Sequence, residues 1–245
     1  MSLGLKIFNR IINKNSVGTS NESTRQKFVK QTLENLPEGL RILDAGAGEQ
    51  QFKKYCSHLV YVSQDFAQYD GLGDSAGLQM GEWDNSNLDI ISDITNIPEP
   101  DFSFDVILCT EVFEHLPDPI SAIKEFSRLL KPNGTLIITA PFCSLTHFAP
   151  YHFYTGFNRY FYETHLKSNN FNMLSIEHNG NYFEYIGQEI RRIETVANKY
   201  ANSSLNFIEY IALVIALKML NKMSKVDNGS QELLHFDFQV IAKKQ

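Results

Sequence analysis

RILDAGAGEQQFKKYCSHLVYVSQD, residues 41–65, carries two short apolar runs around a glycine-rich turn. Arg41 to Ala45 reads as a buried strand that runs into the turn Ala45-Gly-Ala-Gly-Glu49. The spacing predicts a helix over Gln50 to Ser57, and a second strand from Leu59 that ends at Asp65. Strand, glycine turn, helix, strand and acid within 25 residues form the first half of a dinucleotide-type βαβ unit. Glycine at 46 and 48 lets backbone approach a ligand with no Cβ in the way. A helix N-terminus after such a turn offers free N–H groups to a carboxylate or phosphate. Asp65 follows Gly46 by 19 residues, the reach needed to grip two ribose hydroxyls.

Upstream, a helix is predicted from about Ser23 to Asn35, stopped by Pro37 and Gly39. Leu3 to Lys14 has helical spacing with interleaved basic residues, so residues 1–37 read as a helical cap and 38–245 as the main domain. Downstream, Tyr69 to Asn87 reads as a long surface loop, with Trp83 as a lid or a loop anchor. A third strand, Leu88 to Ser92, ends at Asp93, placed to accept from an adenine amino group above Ile94. A fourth strand runs from Phe104 to Cys109. A helix from Pro119 to Leu130 has Asp118 as N-cap and stops at Lys131-Pro-Asn-Gly134. Strands at Thr135–Ala140, Met173–His178 and Leu234–Lys243 complete seven. Two further helices fall between the sixth and seventh, as an insertion over about 182–226. The expected fold is α/β, Rossmann-like: a mostly parallel seven-stranded sheet, helices on both faces, and an antiparallel C-terminal strand.

The 245 residues, 43% hydrophobic and 20% charged, are ordinary globular composition. A net charge of −6 argues against a broad grip on nucleic acid. Cys56, Cys109 and Cys143 read as reduced packing residues, and no Cys/His cluster has metal-ligand spacing, so no metal is expected. The start of the chain lacks a signal-peptide pattern. The longest uncharged apolar run, Tyr210 to Leu217, is far short of the ~20 residues that span a bilayer. A cytoplasmic protein is the expectation. The apolar helix near 205–223 reads as core packing, a homodimer contact or a membrane-surface face; the basic N-terminal segment reads as a lid or a lipid contact.

Three motifs together resemble the class I S-adenosylmethionine-dependent methyltransferases, in their type-11 branch. LDAGAGEQ (43–50) is similar to the family's D/E-x-G-x-G-x-G, with Gln50 in place of the third glycine. FDVILCTEVFEHLPDP (104–119) and LLKPNGTLIITAP (129–141) resemble its fourth strand region and the helix-turn-strand that follows. The resemblance implies that Asp44, Ala45, Gly46 and Gly48 surround the methionine half of the cofactor. It implies that Asp65 and Phe66 meet the ribose, that Asp93 and Ile94 meet the adenine, and that Thr110 and Glu111 border cofactor and acceptor. HFAPYHFY (147–154) resembles, more weakly, a bacterial branch found with sugar and glycan pathways, with His152 where an acid is common.

Methyl transfer from a sulfonium is an in-line displacement, and a base is needed only where the acceptor must lose a proton. His147 and His152, in the segment after the fifth strand, are candidate bases, and Glu111 is a third catalytic candidate. Glu114 and His115 read as structural. Tyr151, Phe153, Tyr154, Phe157, Tyr160 and Phe161 line an acceptor pocket or pack a helix onto the sheet. The expected function is transfer of a methyl group from S-adenosylmethionine to oxygen or nitrogen of a small-molecule or saccharide acceptor, leaving S-adenosylhomocysteine. The alternatives are a catalytically silent binding or dimerisation module and a nicotinamide-dependent oxidoreductase.

Overall fold

The computed structural model describes residues 17–245, so the predicted N-terminal helix over Leu3 to Lys14 lies outside the described residues. The chain divides into two compact units. The larger holds residues 25–177 and 237–245; the smaller holds 178–236 with the segment up to Thr24.

The larger unit carries the sheet. Its strands are β1 (Arg41–Ala45), β2 (Val60–Asp65), β3 (Ile90–Ile91), β4 (Phe104–Thr110), β5 (Leu130–Pro141), β6 (Phe171–His178) and β7 (Asp237–Lys244). They lie in the order β3-β2-β1-β4-β5-β7-β6. The first five run parallel and β7 runs antiparallel to β5. Side chains alternate across a strand, and β1 shows both outcomes. Leu43 and Ala45 enter one core with Ile107, Phe113, Ile123, Phe126 and Leu129. Ile42 enters the other with Val29, Leu33, Phe52 and Val106. The first face is covered by α2 (Pro119–Leu129) and α3 (Arg159–Ser168), the second by α1 (Asn21–Glu34). Asp118 accepts from Ser121 N and caps α2, with Pro119 at its first position.

Two sequence expectations fail near the glycine turn. The helix predicted over Gln50 to Ser57 is only a single 3-10 turn, Lys53–Tyr55. Gln50 adopts φ 57°, which ends a right-handed run before it can propagate. Phe52 and Cys56 still reach the core, four residues apart, and α1 covers the rest of that face. The third strand is two residues long instead of five. Asp89 Oδ2 accepts from Ser63 N at 2.9 Å and Ser63 Oγ at 2.8 Å, so a side chain takes the position of a backbone ladder partner. The Lys131–Gly134 turn survives inside β5, with Asn133 at φ 64°.

In the smaller unit, α4 (Tyr182–Val196) is capped by Asn181 and α5 (Phe207–Ser224) by a capping box of Asn206 and Glu209. Leu217 and Leu220 of α5 pack with Val17, Phe183, Ile186 and Ile190. Phe207, Ile208, Ile211, Ile215 and Met219 are exposed. No helix among the described residues is long and apolar enough to cross a membrane.

Phe126 is fully buried on α2 and Ile120 is 42% exposed on the same helix. Phe126→Ala is expected to lower unfolding stability by ~3–5 kcal/mol in urea titrations, and Ile120→Ala to stay within ~0.5 kcal/mol.

Candidate active site

Because β1, β2 and β3 are parallel neighbours, their carboxyl ends open on one edge, which brings Gly46, Asp65 and Asp93 together. Gly46 (φ 76°) and Gly48 (φ 49°) turn the chain there. A Cβ on Gly46 would stand 2.4 Å from Val112 Cγ2, and one on Gly48 would stand 2.6 Å from Trp83 Cζ2. Trp83 thus rests on the turn and meets Tyr69 and Phe148 edge-on. The turn's donors are spent inside the fold. Gly46 N and Ala47 N donate to Gln64 O, and Gly48 N donates to Asp65 Oδ2 at 3.0 Å. The sequence expectation of free N–H groups at a helix N-terminus is therefore replaced by a turn tied to the end of β2.

Asp65 accepts a second backbone bond, from Ala67 N to Oδ1 at 2.9 Å. A carboxylate has about four acceptor positions, so each oxygen keeps one for a further donor. Phe66 beside it meets Tyr151 edge-on at 4.9 Å. Asp93 is exposed, and Oδ1 accepts both Thr95 N and Thr95 Oγ1 at 2.8 Å. Ile94 is 6% exposed and packs in the main core. Ala45 is fully buried, so only its backbone borders the edge. Thr110 ends β4 opposite Thr139.

Asp44 lies 2% exposed beneath the turn, its Oδ2 accepting from the Tyr61 hydroxyl at 2.6 Å. Burial pushes its carboxyl up to about 7, against the Tyr61 bond and with help from the Asp65 charge.

Glu111 stands at φ 54° just past β4. Its Oε1 accepts from Thr139 Oγ1 at 3.0 Å and its Oε2 from the Arg25 guanidinium at 3.1 Å. Arg25 also bonds Asp237 Oδ2 at 3.3 Å, and Asp237 is 1% exposed. Arg25 was missed by sequence reasoning, since nothing in a polar helix start marks one arginine as the partner of acids 86 and 212 residues away.

The histidines converge. The 3-10 turn Phe113–His115 carries Glu114 and His115, and the 144–155 loop brings His147 and His152 to it. Ring centroids are 4.7 Å apart for His115 and His147, and 4.9 Å for His147 and His152. His115 Nδ1 donates to Tyr151 O at 2.6 Å and His147 Nδ1 donates to Leu145 O at 2.8 Å. His152 Nε2 lies 3.2 Å from Ser144 Oγ. Phe153 N and Tyr154 N donate to Glu114 O, which pins the loop to the turn. Burial and the neighbouring His147 lower His152, and burial takes His115 down to about 3. Glu114 is fully buried, and burial with the Glu111 charge raises its carboxyl well above the usual range. Sequence reading assigned Glu114 and His115 structural roles; the fold places them at the centre of the cluster. The aromatic group divides: Phe157 and Phe161 pack on Phe113, while Phe153, Tyr154 and Tyr160 are exposed.

Two outcomes follow from this electrostatics. Replacing the Arg25 guanidinium in Arg25→Met leaves Glu111 and Asp237 uncompensated and is expected to cost on the order of 3 kcal/mol in chemical denaturation. The native Asp44 carboxyl keeps its proton between pH ~4 and ~7, where the unfolded chain has lost it, so stability from this group falls as pH rises across that window. Asp44→Asn removes this loss. Relative to the parent it is expected to gain stability between about pH 5 and about pH 8, measured by urea melts at both.

A family model described as a methyltransferase domain matches residues 21–193. Among curated relatives, the ubiquinone biosynthesis O-methyltransferase of Alkalilimnicola ehrlichii is 31% identical over 124 residues, 47% of each chain. Phosphoethanolamine N-methyltransferase 1 of Zea mays is 27% identical over 146 residues, 56% of this chain and 27% of that one. The chain thus spans about half or less of the length of these relatives. A SAM-dependent methyltransferase from Archaeoglobus fulgidus has the same fold, with a TM-score of 0.55 at 17% identity, covering 92% of this chain and 95% of that one. The sheet order, the glycine turn at its carboxyl edge and the family match over most of its length lead to one assignment: the chain belongs to the class I S-adenosylmethionine-dependent methyltransferases.

Proposed function

We propose that the chain binds S-adenosylmethionine across the ends of β1, β2 and β3 and transfers its methyl group to an oxygen or nitrogen of a small-molecule or saccharide acceptor. Asp65 carries this reading. It is 9% exposed, held by two backbone N–H groups, and keeps one acceptor position on each oxygen, which suits two vicinal ribose hydroxyls. Asp93, on the neighbouring strand end, is the acceptor for the adenine amino group. Phe66 and the Val112 and Trp83 side chains against the turn supply apolar walls.

The sulfonium already bears a good leaving group, so the protein's task is to align acceptor, methyl carbon and sulfur and to exclude water. The acceptor's lone pair forms the new bond to carbon while the C–S pair returns to sulfur as the thioether. An acceptor hydroxyl or ammonium must also release a proton. The imidazoles of His147 and His152 on the 144–155 loop are suited to take it, and their convergence with His115 supports a hydroxylated acceptor. The relatives' names span both atoms, an O-methyltransferase and an N-methyltransferase of small molecules.

Calorimetry with S-adenosylmethionine and S-adenosylhomocysteine tests the donor site. Wild-type protein is expected to bind on the order of 1–10 µM, and Asp65→Ala to bind ~10–100-fold more weakly, the loss of two hydrogen bonds. Asp93→Ala is expected to weaken binding by about a factor of ten or less. Absence of binding by folded wild-type protein overturns the assignment. Transfer of a labelled methyl group to a panel of small hydroxylated and amine acceptors identifies the acceptor class.

A further inference from the structure

Glu114 has no visible answer to its burial. Its side chain is 0% exposed, and neither Oε1 nor Oε2 has a hydrogen-bond partner among the described residues. The nearby guanidinium of Arg25 is already bonded to two other acids, Glu111 and Asp237. A carboxyl buried in this state is met either by its own proton or by a counter-charge. What faces it is a pair of imidazole nitrogens: His115 Nε2 at 3.7 Å and His147 Nε2 at 3.8 Å from Glu114 Oε1. One potential ligand atom from each of Glu114, His115 and His147 lies within 4.8 Å of the other two.

The separations discriminate between two explanations. They exceed the ~3.2 Å limit of a good hydrogen bond. They are a few tenths of an ångström wider than the ~3.3–3.5 Å edge of a tetrahedron whose ligands sit ~2.0–2.1 Å from a shared ion. The second feature is the tautomer. A carbonyl oxygen only accepts, so each Nδ1 bonded to Leu145 O or Tyr151 O carries the ring proton. That arrangement turns a lone pair at Nε2 toward Glu114, and imidazole Nδ1–H to backbone carbonyl is the usual outer-shell support of a metal-bound histidine.

We propose that Glu114, His115 and His147 form a site for one divalent first-row transition ion of the zinc type. Two imidazoles and one carboxylate match that class and not calcium or magnesium, which take oxygen ligands. Three protein ligands leave a coordination position open. Given the methyl-transfer reading, the open position suits an acceptor hydroxyl oxygen, whose proton affinity the ion lowers. His152, whose ring lies 4.9 Å from that of His147, then remains the imidazole outside the ligand set. Residues 114, 115 and 147 lack a recognisable ligand spacing in one dimension, so the earlier expectation of no metal followed from sequence alone.

The test uses the full chain, stripped with EDTA and titrated with cobalt(II) followed by visible absorption and with zinc(II) followed by calorimetry. One ion per chain is expected, with ligand-field bands on cobalt loading and a rise in melting temperature. His147→Ala and the near-isosteric Glu114→Gln are each expected to weaken binding at least tenfold and to abolish the melting shift, while His165→Ala on α3 leaves both unchanged. A folded wild type that binds neither ion at ~100 µM, or ion binding unaffected by both cluster variants, overturns the proposal. S-adenosylmethionine binding measured on the same ion-free samples separates the two readings: retained donor binding without ion binding sinks the ion site alone, and the converse sinks the donor site alone.

Discussion

Asp65 is the joint on which the candidate site depends. Its carboxylate holds Gly48 N and Ala67 N at once, so the turn after β1 and the chain leaving β2 are fixed by one side chain. Gln64 completes the tie by accepting Gly46 N and Ala47 N on its carbonyl. Four backbone donors that would otherwise need a ligand or water are satisfied by the end of one strand. The turn is therefore preorganised, and the Asp65 carboxylate is held with little conformational freedom left to lose. The missing helix after the turn fits this picture. With its N–H groups already bonded, the turn does not rely on a helix N-terminus to hold its shape.

Charge burial forms a second layer behind that edge. Arg25 draws Glu111 at the end of β4 and Asp237 at the start of β7 to one guanidinium, across three segments remote in sequence. Glu114, three residues beyond Glu111, is left with imidazoles for neighbours. Like charges kept close in a dry setting raise carboxyl proton affinity or call for a cation, and the fold sets both possibilities side by side. The shifted groups, Asp44, Glu114, His115 and His152, lie under the glycine turn and in the histidine cluster, and such groups are common at functional sites.

The long segment at 69–87 acquires order from its surroundings. Leu78 N donates to Thr146 O, Phe148 N to Leu78 O and Asp74 N to Ala149 O, so it is stitched to the loop that carries His147. Trp83 meets Tyr69 and Phe148 edge-to-face, Tyr69 and Phe148 meet at a tilt, and Trp83 rests against Gly48 of the turn. The loop thereby links the glycine turn and the histidine loop through packing, a relation that polarity and length could not reveal.

Local pattern determined a good deal. Apolar runs and their spacing marked every strand region, Asp118 and Pro119 marked the start of α2, and the glycines marked the turn after β1, because each rests on residues near one another in the chain. Boundaries slipped where a long-range contact overrode propensity: Asp89 bonding Ser63 shortened β3, and Gln50 in a left-handed conformation suppressed a helix. The histidine cluster and the Arg25 network were decided by tertiary structure alone. Their members are brought together by the sheet edge and by loop closure over tens to hundreds of residues, and a charge's environment is a three-dimensional property that no one-dimensional spacing encodes.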